Sequence, residues 1–279
     1  MNVPRKESVQ FARPPLVELA LAAQFAPLDK LQGPELGLWW AQIRDRFPVV
    51  ERYAPRPTAL ELLGEPTSAP QVQFALSDVP PLPLFWFLSA DKTVLIQLQQ
   101  NRFVVNWRKT DNDQEYPQYS NIRSVFEKEF ERFTTFVDSE GVGDILVDQC
   151  EITYINHMFA GDGWENLSQM QRVFTVWASN YAESVALPLE DARFTVRYSL
   201  ADEHGAPLGR LHVTAEPAYR IEDRKPMIVM TLTARGRPDG SALPGVMRFL
   251  DKGHEAALRA FTSITTQAMQ QLWGRQNDQ

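Results

Sequence analysis

At 279 residues, 44% of them hydrophobic and 23% charged, the chain is long enough for one large domain or two ordinary ones and too apolar for wholesale disorder. Its 28 basic residues against 35 acidic ones leave a net charge of −7, which argues against a protein that coats nucleic acid indiscriminately. A single cysteine, Cys150, excludes an internal disulfide and a cysteine-rich zinc site.

Residues 1–13 and 274–279 are polar and are expected to be flexible. No apolar stretch near the start has the length of a signal peptide. The greasiest run, PLPLFWFL from Pro81 to Leu88, is far short of the roughly 20 residues that cross a bilayer. A cytoplasmic protein without membrane contact is expected.

PPLVELALAAQFAPL alternates, with Val17, Leu19, Leu21, Ala23 and Phe25 on one side, and reads as a strand. GPELGLWWAQIRDRF shifts to helical spacing, with Leu36, Trp39, Trp40, Ile43 and Phe47 as its stripe and Pro48 at its end. The proline-rich stretch Tyr53–Pro70 reads as a surface loop. Strands are expected near Val72–Leu76, Leu84–Leu88, Thr93–Gln99 and Arg102–Arg108. YSNIRSVFEKEFERFTTFVDSEG then gives a helix capped by Ser120. Its stripe is Ile122, Val125, Phe126, Phe130, Phe133 and Val137, and Gly141 closes it.

The order then repeats. ILVDQCEITYINHMF is a strand in which Cys150 is a buried structural thiol, and WENLSQMQRVFTVWASNYA is a helix with Leu167, Met170, Phe174 and Trp177 inward. Three alternating strands follow: ARFTVRYSL, LGRLHVTAE and PMIVMTLTARG. One long helix ends the chain, from PGVMRFL to QQLW, with Val246, Phe249, Leu250, Ala257, Phe261, Ile264, Ala268 and Leu272 on one face. Gly253 is expected to bend it. The fold class is therefore α+β: two tandem β-α-β(3-4)-α halves, residues 14–141 and 142–273, with antiparallel sheets each covered on one face by helices.

Placing a two-residue turn at Gln100-Asn101 pairs Leu98 with Phe103, Ile96 with Val105 and Val94 with Trp107 on one apolar face. Thr93, Leu95, Gln97 and Gln99 then oppose Arg108, Asn106, Val104 and Arg102 on the other. In the second half Arg193, Thr195, Arg197 and Ser199, then Arg210, His212, Thr214 and Glu216, then Thr231, Thr233 and Arg235 share the outer face. An arginine- and amide-bearing face with Glu216 nearly its only acid is the candidate surface for a partner or anion, since guanidinium forks suit carboxylates and phosphates alike. Its members are Gln97, Gln99, Arg102, Asn106, Arg108, Arg193, Arg197, Arg210 and His212. The plainer reading is a solvated sheet face, or two polar faces bonded to each other.

No glycine-rich phosphate loop, dinucleotide fingerprint, GxSxG elbow or HExxH helix is present. The four histidines lack ligand spacing, and no metal or cofactor is expected. TDNDQE, from Thr110 to Glu115, lacks the glycine and distal glutamate of a calcium loop and reads as solvated. His254, beside Asp251 and Glu255, is either a carboxylate-held base or an ordinary helix residue. Carboxylate pairs are too numerous to single out one.

PPLVE near the start, NRFVVNWRK followed by YPQYSN in the centre, and GHEAALRAFTSIT near the end stand in an order that resembles a sporadically distributed prokaryotic family of unknown function and about this length. The resemblance brings no catalytic residue. Its patchy occurrence points, by association, to antitoxin, immunity or anti-phage accessory roles. Four functions are thus carried forward. The first is a non-enzymatic binding module that grips a macromolecular partner, chiefly protein, and the second is nucleic-acid or nucleotide binding on the arginine face. The third is a helix-gripped apolar cavity using Trp86, Trp107, Phe130 and Phe133, and the fourth is an enzyme assembled from scattered residues.

Overall fold

The computed structural model describes residues 9–57, 60, 61, 63, 82–111, 114–177, 187 and 189–276. The strand expected at Val72–Leu76 and the middle of the TDNDQE loop lie outside the described residues.

The described elements are, in order, β1 (Gln10–Phe11), β2 (Leu16–Phe25), α1 (Gly33–Ile43), β3 (Val49–Tyr53), β4 (Leu84–Leu88), β5 (Val94–Gln99), β6 (Arg102–Arg108) and α2 (Tyr119–Ser139). The second half follows with β7 (Val147–Phe159), a single 3-10 turn at Leu167–Gln169, α3 (Met170–Val173), β8 (Phe194–Ala201), β9 (Pro207–Tyr219), β10 (Pro226–Gly236), α4 (Leu243–Ile264), α5 (Gln267–Leu272) and β11 (Arg275–Gln276). The protein is α+β, and each half runs strand, helix, antiparallel strands, long helix. Nine of the strands make one continuous antiparallel sheet in the order β3-β4-β5-β6-β2-β7-β10-β9-β8, and β1 pairs separately with β11. The halves are joined at its centre, where the first strand of each pairs with the other, from Leu16 opposite Asn156 to Phe25 opposite Val147.

One face of this sheet is the core. The hairpin register holds residue for residue, with Leu98, Ile96 and Val94 opposite Phe103, Val105 and Trp107. Phe103 stacks on Phe133 of α2 at 5.2 Å between ring centres, and Phe126 and Phe130 crowd the same ring. Trp107, Phe130 and Phe133 are thus core filling rather than the wall of an apolar cavity. Trp86 lies on the other face of the sheet, beside Tyr53.

Several local expectations are corrected. In β2 the register shifts between Leu16 and Glu18, so Val17 is the extra residue of a bulge and Leu16 takes the inward place. Ser120 lies inside α2 rather than capping it, because Gln118 at φ 66° turns the chain in two residues earlier. β3 was not expected from its mixed sequence VVERY, and it is an edge strand with one neighbour. Of the helix expected over 164–182, residues 178–182 lie outside the described residues, and the described part forms only the 3-10 turn and four residues of α3. Phe174 leaves it in an extended conformation to bridge Thr265.

The last helix breaks, but not at Gly253. Thr265 is extended, and the Thr266 hydroxyl accepts from Met269 N to start α5 afresh. That new start turns Met269 and Gln270 inward in place of Ala268 and Leu272, and Leu272 is exposed. α4 runs through Gly253 because the missing side chain lets it press on the sheet. A Cβ there would stand 2.6 Å from Ile152 Cγ2 and 3.0 Å from Ala234 Cβ. Of the two terminal segments expected to be flexible, residues 1–8 and 277–279 lie outside the described residues; within the described parts Gln10 pairs with Gln276 and Phe11 with Arg275.

Candidate functional site

The outer face of the sheet is neither bare nor free of acids. Gln97, Gln99 and Asn106 are buried there, as are Gln24 and Gln149. Of the proline-rich stretch Tyr53–Pro70, expected as a surface loop, the described residues Arg56 and Glu61 reach these glutamines. Arg56 N donates to Gln99 Oε1, and Gln99 Nε2 donates back to Arg56 O and to Asn101. Glu61 N donates to Gln149 Oε1 at 2.7 Å. The Glu61 carboxylate takes Arg210 on one oxygen and His212 Nε2 on the other, the latter at 2.8 Å. Burial would raise its pKa, but those two bonds hold Glu61 below the ordinary carboxylate range.

Glu151 of β7 does the same at the centre of the sheet. Arg235 Nε donates to one of its oxygens at 2.6 Å and Arg102 Nη2 to the other at 2.9 Å. Asn106 Nδ2 donates to Glu18 at 2.7 Å, and Arg193 pairs with Asp191. Arg108 donates to the Lys92 carbonyl and lies 5.7 Å from the Trp86 ring centre, while Arg197 is exposed on β8. The nine candidate residues therefore share one face without converging on one point. Glu18, Glu61 and Glu151 are its acids and were missed: Glu18 and Glu151 come from β2 and β7, which join the halves, and Glu61 from outside the strands.

A second place, on the helical side, has a different character. A cavity of about 530 Å³ opens where the two halves meet, between the start of β2, the second half of β7, the start of α2 and the middle of α4. That is within the range of small-molecule sites, roughly 300–1,000 Å³. The N-terminal segment and Gln276 form part of its wall, so the short β1–β11 ladder closes one side.

A linked set of its polar side chains comes from three elements, β7, α4 and α2. Tyr154 sits on the inward face of β7 opposite Leu19 and Leu232. The close approach at Gly253 brings the next residue of α4 onto it, and His254 Nδ1 lies 2.6 Å from the Tyr154 hydroxyl. Tyr119, the first residue of α2, stacks flat on the His254 ring at 3.9 Å and 9°. Its hydroxyl donates to Asp251, whose carboxylate is also gripped by Arg123 at 2.7 and 3.0 Å. This chain of contacts ties α2 of one half to α4 and β7 of the other. It also corrects the reading of His254: Asp251 serves Tyr119 and Arg123, and the imidazole is bonded to a tyrosine instead of a carboxylate.

Tyr116, just before α2, packs on Trp107 and lines the same cavity. Its buried hydroxyl has no hydrogen-bond partner among the described residues, a condition that costs about 1–3 kcal/mol unless something satisfies it. Burial pushes His254 down to about 4, against a smaller pull from Asp251, and raises Tyr116, Tyr119 and Tyr154 well above the usual phenol value. All four are uncharged at neutral pH. Cys150 is buried elsewhere in the core, its thiol likewise raised by burial.

Three segments far apart in the sequence meet here. Leu16 comes from PPLVE, Tyr116 and Tyr119 from YPQYSN, and His254 and Phe261 from GHEAALRAFTSIT, and all five line the cavity. No protein-family model matches the chain, and no curated protein matches it. Among solved structures, the di-domain ARO/CYC StfQ from the steffimycin biosynthetic pathway aligns over 88% of this chain and 97% of its own at 10% identity. Its TM-score of 0.16 gives that alignment no weight for fold or function. No helix among the described residues is long and apolar enough to cross a membrane.

Proposed function

We propose that the chain is a binding module whose ligand is a small, uncharged molecule held in the cavity between its halves. The observation that carries this reading is the ligand-sized cavity itself, about 530 Å³ between the halves and walled by Tyr116, Tyr119, Tyr154, His254 and Phe261. The groups around it are tuned to stay neutral, which suits hydrogen bonding better than proton transfer at neutral pH.

The probe that tests it is N-phenyl-1-naphthylamine, an uncharged fluorophore that brightens in apolar surroundings. The wild type is expected to bind about one equivalent. Leu258→Trp, which puts an indole into the cavity wall, should weaken that binding about tenfold or more. Equal affinity in a folded Leu258→Trp variant, or no binding by the wild type, sinks the reading.

A macromolecular partner on the outer sheet face, of the antitoxin, immunity or defence-accessory kind, has less support. Arg102 and Arg210 already serve internal carboxylates. That reading rests on Arg108 and Arg197, and a charge reversal at those two positions is its clean test. Reversal at Arg102 would instead oppose Glu151 and disturb the fold.

A further inference from the structure

The wall of the cavity is not equally firm all round, and that difference bears on how a ligand gets in, given the binding reading above. Among the described residues, its exposed members fall in two places. Gln10, Ala12 and Gln276 belong to the paired terminal segments, and Glu115, Gln118 and Ser120 to the turn into α2. The mouth therefore lies between these two lips.

The α2 lip is fixed. Tyr119 lies flat on His254 and donates to Asp251, and Arg123, one turn further on, holds the same carboxylate through two bonds. The ladder lip is held by far less. It has two residue pairs, Gln10 with Gln276 and Phe11 with Arg275, and among the described residues neither strand has another strand beside it. Backbone bonds from Ala12 N to Gly274 O and from Arg13 N to Trp273 O complete it. A two-stranded ribbon of this length is not stable on its own, and chain ends open at the lowest cost in a fold.

Behind the ladder both segments are anchored, so an opening is confined to it. Trp273 is buried against Phe261 at 5.3 Å between ring centres, and its N–H donates to Met269 O. Gly274 follows at φ 70°, a left-handed hinge between that anchor and β11. On the other segment Pro15 O accepts from His157 N at 2.9 Å, which ties the chain to β7 just before β2. Two side-chain contacts latch the ladder: Phe11 stands edge-on to Phe261 at 5.5 Å, and Arg275 donates to Gln270.

We propose that the β1–β11 ladder is a clasp over the cavity mouth: a ligand enters and leaves by its local opening, with Phe11 swinging off Phe261, while α2, β7 and α4 stay in place. The clasp then sets the rates of entry and exit, and the wall behind it sets the affinity.

Gln10→Cys/Gln276→Cys in the full chain puts two thiols directly opposite each other in the ladder, within reach of a disulfide. The native thiol of Cys150 is buried with its pKa raised, and it stays out of the exchange. Stopped-flow fluorescence follows N-phenyl-1-naphthylamine onto and off the reduced and oxidised forms. The reduced form is expected to match the wild type within about threefold. Oxidation should slow association and dissociation alike, each about tenfold or more, and leave the affinity within about threefold. Dithiothreitol should restore both rates. Unchanged rates after oxidation make the ladder a fixed wall and overturn the inference. So does slowed association with dissociation unchanged, which marks a deformed site, and so does a disulfide that fails to form, which means strands unpaired in solution. In these cases binding by the reduced form leaves the cavity a binding site. No binding by the wild type or the reduced form overturns both readings.

Discussion

Phe133→Ala is expected to lower the free energy of unfolding by about 4 kcal/mol, the middle of the range for deleting a buried phenylalanine. Phe133 has no exposed surface, and four rings meet it: Phe25 of β2, Trp39 of α1, Phe103 of β6 and Phe136 of its own helix. Those contacts join four elements, so the hole cannot close by moving one of them. Aromatic pairs add about 0.5–1.5 kcal/mol each beyond their area, and some of that is lost too. Equilibrium urea unfolding of the two proteins reads the difference directly. A loss below about 1.5 kcal/mol would mean a loosely packed site. It would revive the idea that the helix face around Phe130 and Phe133 grips an apolar ligand.

Glu151→Gln should cost about 3 kcal/mol at neutral pH, because it leaves Arg102 and Arg235 partly buried without their shared counter-charge. Burial alone would raise the Glu151 pKa, but Arg235 and Arg102 outweigh it and the folded-state value lies below the ordinary range. A depressed folded-state pKa stabilises the protein above the unfolded value of about 4.3, and that contribution is lost as the pH falls through the folded-state value. The gap between wild type and variant should therefore be full at pH 7 and close under acid conditions. A gap that is absent at pH 7, or that widens as the pH falls, would contradict the assignment of Glu151 as a buried carboxylate held by two arginines.

Much of the architecture is legible in the sequence, for identifiable reasons. The period-two strands β4, β6 and β10 have the bounds that their alternation marks, and the Gln100-Asn101 turn fixes the hairpin register. What fails is local chemistry that depends on distant partners. Ser120 is a good cap by type, but a positive φ at Gln118 starts the helix first. Gly253 looks like a weak point in a helix, yet its lack of a Cβ is what seats α4 on Ile152 and Ala234.

The polar sheet face is read correctly as a set of strand positions. Its solvation is not, since Glu61 reaches His212 and Arg210 across about 150 residues of sequence, a pairing no periodicity can reveal. The cavity was hidden for the same reason. Tyr116 and Tyr119, Tyr154 and His254 come from three separated segments, and only the pairing of β2 with β7 brings the two halves together around them. The signal that could have found them was the set of quoted motif segments, since their residues line one space.

The most direct test of the central claim is a crystal structure of the protein soaked with N-phenyl-1-naphthylamine. The account predicts the fluorophore's rings between Tyr119, His254 and Phe261, inside the wall closed by the β1–β11 ladder. Density for the fluorophore on the outer sheet face, or a cavity filled by the protein's own side chains, would contradict it.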